Sequence, residues 1–488
     1  VIKKIVVCGG GTAGLISALM IRQAFPNVEI DLVYSSDLGI VGVGEGSTEH
    51  WRIFMDICNI PLAEMLTETK ATHKYGIKFI NWTNHTPEYF HSIQGGDRLQ
   101  LFDTFLTYNA LNEKSMLLTD YTASLGLFTG KVRADNPHIS TNQFHFDTFL
   151  LNKYFHKLCG QRRINQIDAK ILKVNTNSEQ GHINSITLDN DFLVFGDIFI
   201  DATGFKRILM SSIENTEWNS YSDILPINKA IPFPTSSRED GIINTYTKAT
   251  ALSSGWVWEI PTQERRGNGY AFSDAYITEE DAVKEFSNLL GCKIESPRII
   301  NFSAGSLRKQ WYKNVISVGL ASSFVEPLEA TSIGSTIQQV RSAVQNLVGY
   351  QINNKKMADY HNSKMNIMME NLVSMVRLHY MSDRKDSDFW NDQKNWKIPD
   401  YLKNLIDIWN ERPPVLGDIC ANNFELFHAP HFWHVAQGQG LLKKQNSSNV
   451  LELFGRRELT SSIIDDLIIE QSNHGMIGHA EALKALYK

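Results

Sequence analysis

Lys4-Ile5-Val6-Val7-Cys8-Gly9-Gly10-Gly11-Thr12-Ala13-Gly14 decides how the rest of the chain is read. The apolar run Ile5 to Cys8 has the character of a buried parallel strand. Gly9, Gly11 and Gly14 fill a GxGxxG pattern, and Leu15, Ile16, Ala18, Leu19 and Ile21 follow at helical spacing. The first glycine makes the tight turn, the second admits a pyrophosphate to the backbone, and the third lets helix pack on strand. Thr12 and Ala13 then open a helix whose free N–H groups and positive dipole end suit that pyrophosphate. An ordinary glycine turn is the competing reading. The strand before and the helix after favour a dinucleotide site in an α/β fold.

Working outward, Val28 to Tyr34 alternates as a second strand. The acid that usually holds the ribose about 20 residues past the glycines is replaced by Tyr34. A hydroxyl of Ser35 or Ser36, Asp37 or a backbone group is left for that contact. Gly42, Val43, Gly44 and Glu45 begin a second glycine-rich loop, either a plain turn or a backbone strap beside the cofactor. Gly196 to Phe205 and Asn314 to Ala321 read as further strands ending in small-residue turns, the latter through Gly319 and Leu320. Three such strands far apart in sequence suggest one nucleotide domain interrupted by insertions.

The chain has 488 residues, with 42% hydrophobic and 20% charged, the profile of a globular protein with two to three domains. A net charge of -6 and a pI of about 6.2 exclude a strongly basic nucleic-acid surface. The five cysteines (Cys8, Cys58, Cys159, Cys292, Cys420) are single and have no metal-ligand spacing. No disulfide framework and no metal site is expected, and a reducing, cytoplasmic setting fits. No apolar run reaches the roughly 18 to 20 residues of a membrane span. No signal peptide is visible ahead of the first strand.

Residues 74 to 82 read as one strand, placing Lys74, Gly76 and Lys78 on one face. Residues 142 to 159 carry Phe146, Phe149, Leu150, Tyr154 and Leu158 at helical spacing, a core helix. Trp256 and Trp258, two apart, share one side of a strand that runs on through Ile260 and Pro261. Glu326 and Glu329 precede an amphipathic helix marked by Ile333, Ile337, Val340, Val344 and Leu347, with Thr331 or Ser332 as N-cap. The His428, His431, Trp433 and His434 cluster reads as a polar-tipped aromatic surface.

Combined, these motifs resemble the flavin-dependent halogenases of the tryptophan halogenase family. Trp256-x-Trp258-x-Ile260-Pro261 is that family's signature, and the GGGTAG loop matches as well. So do Gly42 to Glu45, Lys74 to Trp82, Phe324 to Glu329, and His379-Tyr380-x-Ser382-Asp383-Arg384 followed by Phe389-Trp390. The resemblance implies an FAD-binding Rossmann domain of glutathione-reductase type over residues 1–350, with inserted segments around 80–140 and 210–295. A mainly helical substrate region would occupy 351–488. It implies reduced FAD from a separate flavin reductase, O2 and a halide ion, which together yield hypohalous acid.

By the same resemblance, Lys74 holds the oxidised halogen, by a hydrogen bond or as a haloamine. Glu329 orients that donor or accepts the ring proton. Thr331 and Ser332 supply halide-binding N–H groups. Ala330 and Ser332 stand where the family often has Ser and Gly, which favours bromide or iodide over chloride. The tryptophans keep substrate off the flavin, and His91 stacks on the substrate. The family's C-terminal tyrosine pair has no counterpart, so a free indole or phenol is expected rather than tryptophan, with a carrier-bound arene as another option. A homo-oligomer is compatible with these features. The rival readings are a flavin monooxygenase of aromatics and a flavin-binding protein without catalysis.

Overall fold

The computed structural model describes residues 2–40, 45–92, 130–134, 141, 143–177, 181–213, 217–351, 354–419, 424–454 and 475–487. The strand Lys4–Cys8 is central in a six-stranded sheet. Glu29–Tyr34 and Ile198–Asp201 pair with it in parallel on either side. Asn165–Asp168 extends one edge and Val315–Ser317 the other, both parallel, and a short antiparallel partner, Trp311–Tyr312, closes the second edge. The α/β expectation is therefore met. Strands buried on both faces read as continuous apolar runs because helices cover each side. Here the helix Thr12–Ala24 packs between Thr148–Gln161 and Thr331–Leu347.

Close approach explains two of the three glycines. Gly9 has φ 123°, and a Cβ there would meet the Ala202 carbonyl oxygen at 2.2 Å. A Cβ on Gly14 would stand 1.8 Å from the Gly9 carbonyl oxygen. Gly14→Ala is expected to separate helix from strand at a cost above about 2 kcal/mol and to abolish dinucleotide binding. Thermal melting and titration with FAD check both effects.

A seven-stranded sheet forms the second layer. Its order is Ile300–Asn301, Lys229–Ser236, Arg265–Phe272, Gly255–Pro261, Tyr246–Ala251, Gly76–Ile80 and Glu88–Ser92. The helices Lys356–His379, Asp400–Glu411 and Ala429–Gly438 bury one core with it, including Trp82, Trp390, Phe432 and Trp433. Among the described residues no helix is long and apolar enough to cross a membrane. Cys8, Cys58, Cys159 and Cys292 are free thiols, and Cys420 lies outside the described residues.

Several local expectations are corrected. Residues 74 to 82 do not form one strand. Thr72–Lys74 pairs with Gln143–Phe146 in a small sheet, and the chain crosses at Tyr75, whose N–H donates to the Thr245 carbonyl, before Gly76–Ile80 joins the large sheet. Lys74 and Lys78 therefore part company: Lys74 is buried, whereas Lys78 pairs with Glu88 at 2.8 Å near the surface. Residues 143–146 are a strand rather than helix, because Asp147 caps the N–H groups of Phe149 and Leu150 and starts the helix at Thr148. Phe149 consequently faces solvent. The helix Ala429–Gly438 is buried along its whole length, so His431, Trp433 and His434 are core rather than surface.

Candidate active site

The Lys74 ammonium sits where the small sheet ends. The residue is 1% exposed, and its Nζ donates to the Ser47 carbonyl at 2.9 Å. The Gln143 amide, turned to donate, reaches the same oxygen at 3.0 Å. Burial pushes the lysine down to about 8, with the Glu329 charge partly opposing it. A neutral amine is thereby accessible near physiological pH.

Glu329 occupies an unusual backbone conformation. Glu329 (φ 65°, ψ 6°) and Ala330 (φ 53°, ψ 39°) are consecutive non-glycine residues in the left-handed region. Each costs on the order of 1–2 kcal/mol, strain of the kind that clusters at functional sites. The kink makes Ala330 the N-cap of Thr331–Leu347, without a side-chain cap hydrogen bond. Thr331 and Ser332 are therefore the first two helical residues, not the cap. The first-turn N–H groups are left for another acceptor, with no acid in that turn.

Two histidines meet one oxygen of the Glu329 carboxylate. His91 Nδ1 lies 2.8 Å and His379 Nε2 2.9 Å from Oε1. His91 Nε2 continues to His431 Nδ1 at 3.0 Å, and Tyr89 OH to His379 Nδ1 at 3.3 Å. All four residues around Glu329 are buried. Burial alone would raise the carboxyl; the adjoining imidazoles of His91 and His379 outweigh it and hold Glu329 below the usual carboxylate range. Glu329, His91 and His379 also bring three donor atoms within 4.8 Å of one another. The His91 contact is a hydrogen bond, whereas His379 Nε2 meets the same oxygen at ion-pair distance without hydrogen-bond alignment.

Lys74 and Glu329 line one cavity of about 180 Å³. Its walls include Trp256, Trp258 and Ile260 from the tryptophan strand, Leu320 from the turn after Val315–Ser317, and Thr331 and Ser332 from the helix start. Glu45 lines it as well, its carboxyl pushed up to about 7 by burial. Trp258 lies against its cross-strand neighbour Gly269, where a Cβ would stand 2.0 Å from the indole, so only glycine admits the ring.

The residues expected to hold FAD fit a dinucleotide. Where a Cβ on Gly11 would stand, nothing lies within 4 Å, which leaves the approach to the helix N-terminus open. The helix Thr12–Ala24 has neither a side-chain cap hydrogen bond nor an acid in its first turn. Gly319 (φ 58°) comes close against Ala13, bringing the two glycine turns of the sheet together beside Leu320. Asp37, one ribose candidate, is ion-paired with Lys170 at 2.7 Å.

Lys74, Glu329, Glu45, Trp256, Trp258, Ile260, Leu320, Thr331 and Ser332 thus line one cavity. Pro261 faces away from the cavity and accepts a hydrogen bond from Thr72 through its carbonyl. His91 does not line the cavity; both of its ring nitrogens are engaged, by Glu329 and by His431. Gly42, Val43 and Gly44 lie outside the described residues. No role for Glu326, His379 or His431 was legible in the sequence. Only the repeated glutamates of Glu326-x-x-Glu329 and the His379-Tyr380 pair gave a signal.

A protein-family model described as tryptophan halogenase matches residues 4–453. The tryptophan 6-halogenase SttH of Streptomyces toxytricini is 28% identical over 445 residues, 84% of each chain. The tryptophan 7-halogenase RebH of Lentzea aerocolonigenes is 26% identical over 485 residues, 90% of each. Among solved structures, Xcc4156, a flavin-dependent halogenase from Xanthomonas campestris, superposes with a TM-score of 0.85 at 27% identity, covering 99% of this chain and 98% of that one.

Proposed function

The chain belongs to the tryptophan halogenase family, whose members are flavin-dependent halogenases, and from that premise we propose that it halogenates an electron-rich indole or phenol with Lys74 and Glu329 as catalytic residues. The observation that carries this reading is the single cavity shared by Lys74, Glu329, the tryptophan pair and the open helix start at Thr331. Gly9, Gly11, Thr12, Ala13, Gly14, Glu45, Gly319 and Leu320 would hold the FAD, with Gly42 to Gly44 expected to join them. When bound and reduced, with O2 and halide, the flavin supplies hypohalous acid.

This chain's own residues have four tasks. The Thr331 and Ser332 N–H groups hold the halide at the positive end of their helix. Trp256 and Trp258 stand in the wall and keep an arene from the flavin while a small oxidant passes. The Lys74 amine takes the oxidised halogen. Glu329 accepts the proton the ring loses, so that hypohalous acid and arene give halo-arene and water in balance. Bromide and iodide should outcompete chloride, because a larger halide loses less hydration on entering a site with few donors. Phe432 and Trp433 are fully buried and offer no grip for an amino acid's polar groups, which supports a free arene over tryptophan.

The test supplies FAD, a flavin reductase, indole and each halide in turn, with products read by mass. A halogen added, most with bromide or iodide, is the expected result. Oxygen added in place of halogen would assign the protein to aromatic hydroxylation instead.

A further inference from the structure

Resting on that reading, we propose that Glu326 is a positioning residue: its carboxyl fixes the indole of Trp256 in the wall between the flavin side of the cavity and Lys74. The two tryptophans are held differently. Trp258 is trapped sterically on Gly269. Trp256 lies opposite Ala271 and has one directional anchor, its Nε1–H donating to Glu326 Oε1 at 3.1 Å. The Tyr380 hydroxyl donates to the same oxygen at 2.7 Å. Glu326 is 1% exposed, and its Oε2 has no hydrogen-bond partner among the described residues.

Among the described residues no cation is paired with this carboxyl, although Lys74 and Arg298 line the same cavity. Tyr380, from the end of Lys356–His379, is a phenol that burial pushes well up. Arg377, one turn earlier, gives its guanidinium to the carbonyls of Gln393, Trp396 and Lys397. Glu329, three residues on, is occupied with His91 and His379. A charge on Glu326 would thus be buried and uncompensated, a costly state, and burial pushes its carboxyl up to about 7. The acid form satisfies both donors and adds no negative charge to a cavity that must admit a halide.

Two readouts test this. In protein labelled with 15N-tryptophan and free of flavin, the Trp256 indole resonance is assigned by its loss in Trp256→Phe. Glu45 and Lys74 titrate in the same cavity, so the expected mark of Glu326 is a shift near pH 7 that is present in wild type and lost in Glu326→Gln, while any shift from those two groups persists in both; in Glu326→Leu the resonance should move to a non-hydrogen-bonded position. In turnover with bromide and indole, the ratio of free hypohalous acid to bromoindole should rise about fivefold in Glu326→Leu, the restraint of one hydrogen bond, and return to the wild-type value in Glu326→Gln. An unchanged Trp256 resonance in Glu326→Leu, or equal leakage from Leu and Gln variants, overturns the proposal. If the wild type brominates nothing, the halogenase reading fails, while the indole resonance still decides the role of Glu326.

Discussion

Lys74→Ala is expected to eliminate halogenated arene, a loss on the order of 10³-fold or more, while hypohalous acid continues to form and escapes into solution. Among the described residues the amine is the only lysine nitrogen lining the cavity, and its burial favours the neutral form. At pH 7 an amine near 8 is about 10% neutral, against about 0.03% for one at the ordinary lysine value. If the halogen is carried as a haloamine, turnover should climb from pH 6 to pH 8, because lysine becomes nucleophilic as it loses its proton, and then level off. A hydrogen bond from the ammonium would give the opposite slope. Product analysis together with a hypohalous-acid trap separates these outcomes. Lys74→Ala with unimpaired halogenation would remove the assigned chemistry and leave the fold in place.

Glu329→Gln is expected to lower turnover by about 10²–10⁴-fold with little change in melting temperature. An amide oxygen can still accept from His91 and face His379, but it takes up no ring proton. Glu329→Ala should lose activity and stability together. It keeps the left-handed backbone cost and strands two buried imidazole nitrogens, a penalty on the order of 3 kcal/mol. Turnover and thermal melting of the two variants, side by side, distinguish chemistry from packing. Near wild-type halogenation by Glu329→Gln would exclude the carboxylate as proton acceptor.

Much of this protein is written in short-range patterns. The apolar run before Gly9, the glycine spacing and the helical repeat after Gly14 specify strand, turn and helix within some 20 residues. The central parallel sheet follows from them. The two-residue spacing of Trp256 and Trp258 likewise puts both rings on one side, since side chains alternate along any strand. Lys74 and Glu329 were recognisable by their motifs, each beside a run of matching neighbours.

Burial, sheet membership and convergence had no such local signature. Nothing near Tyr75 announces that the chain changes sheets there, because the partner that draws it across is the backbone of Thr245. His91 and Glu329 are 238 residues apart, and His91 and His431 are 340 apart. They meet because a strand, a kinked loop and a buried helix pack together. The downward shift of Lys74 and the upward shift of Glu326 arise from the same packing, through removal of water. Periodicity carries what neighbours a few residues apart must do; which charges lose their solvent, and whom they then face, is set by segments hundreds of residues apart closing on one another.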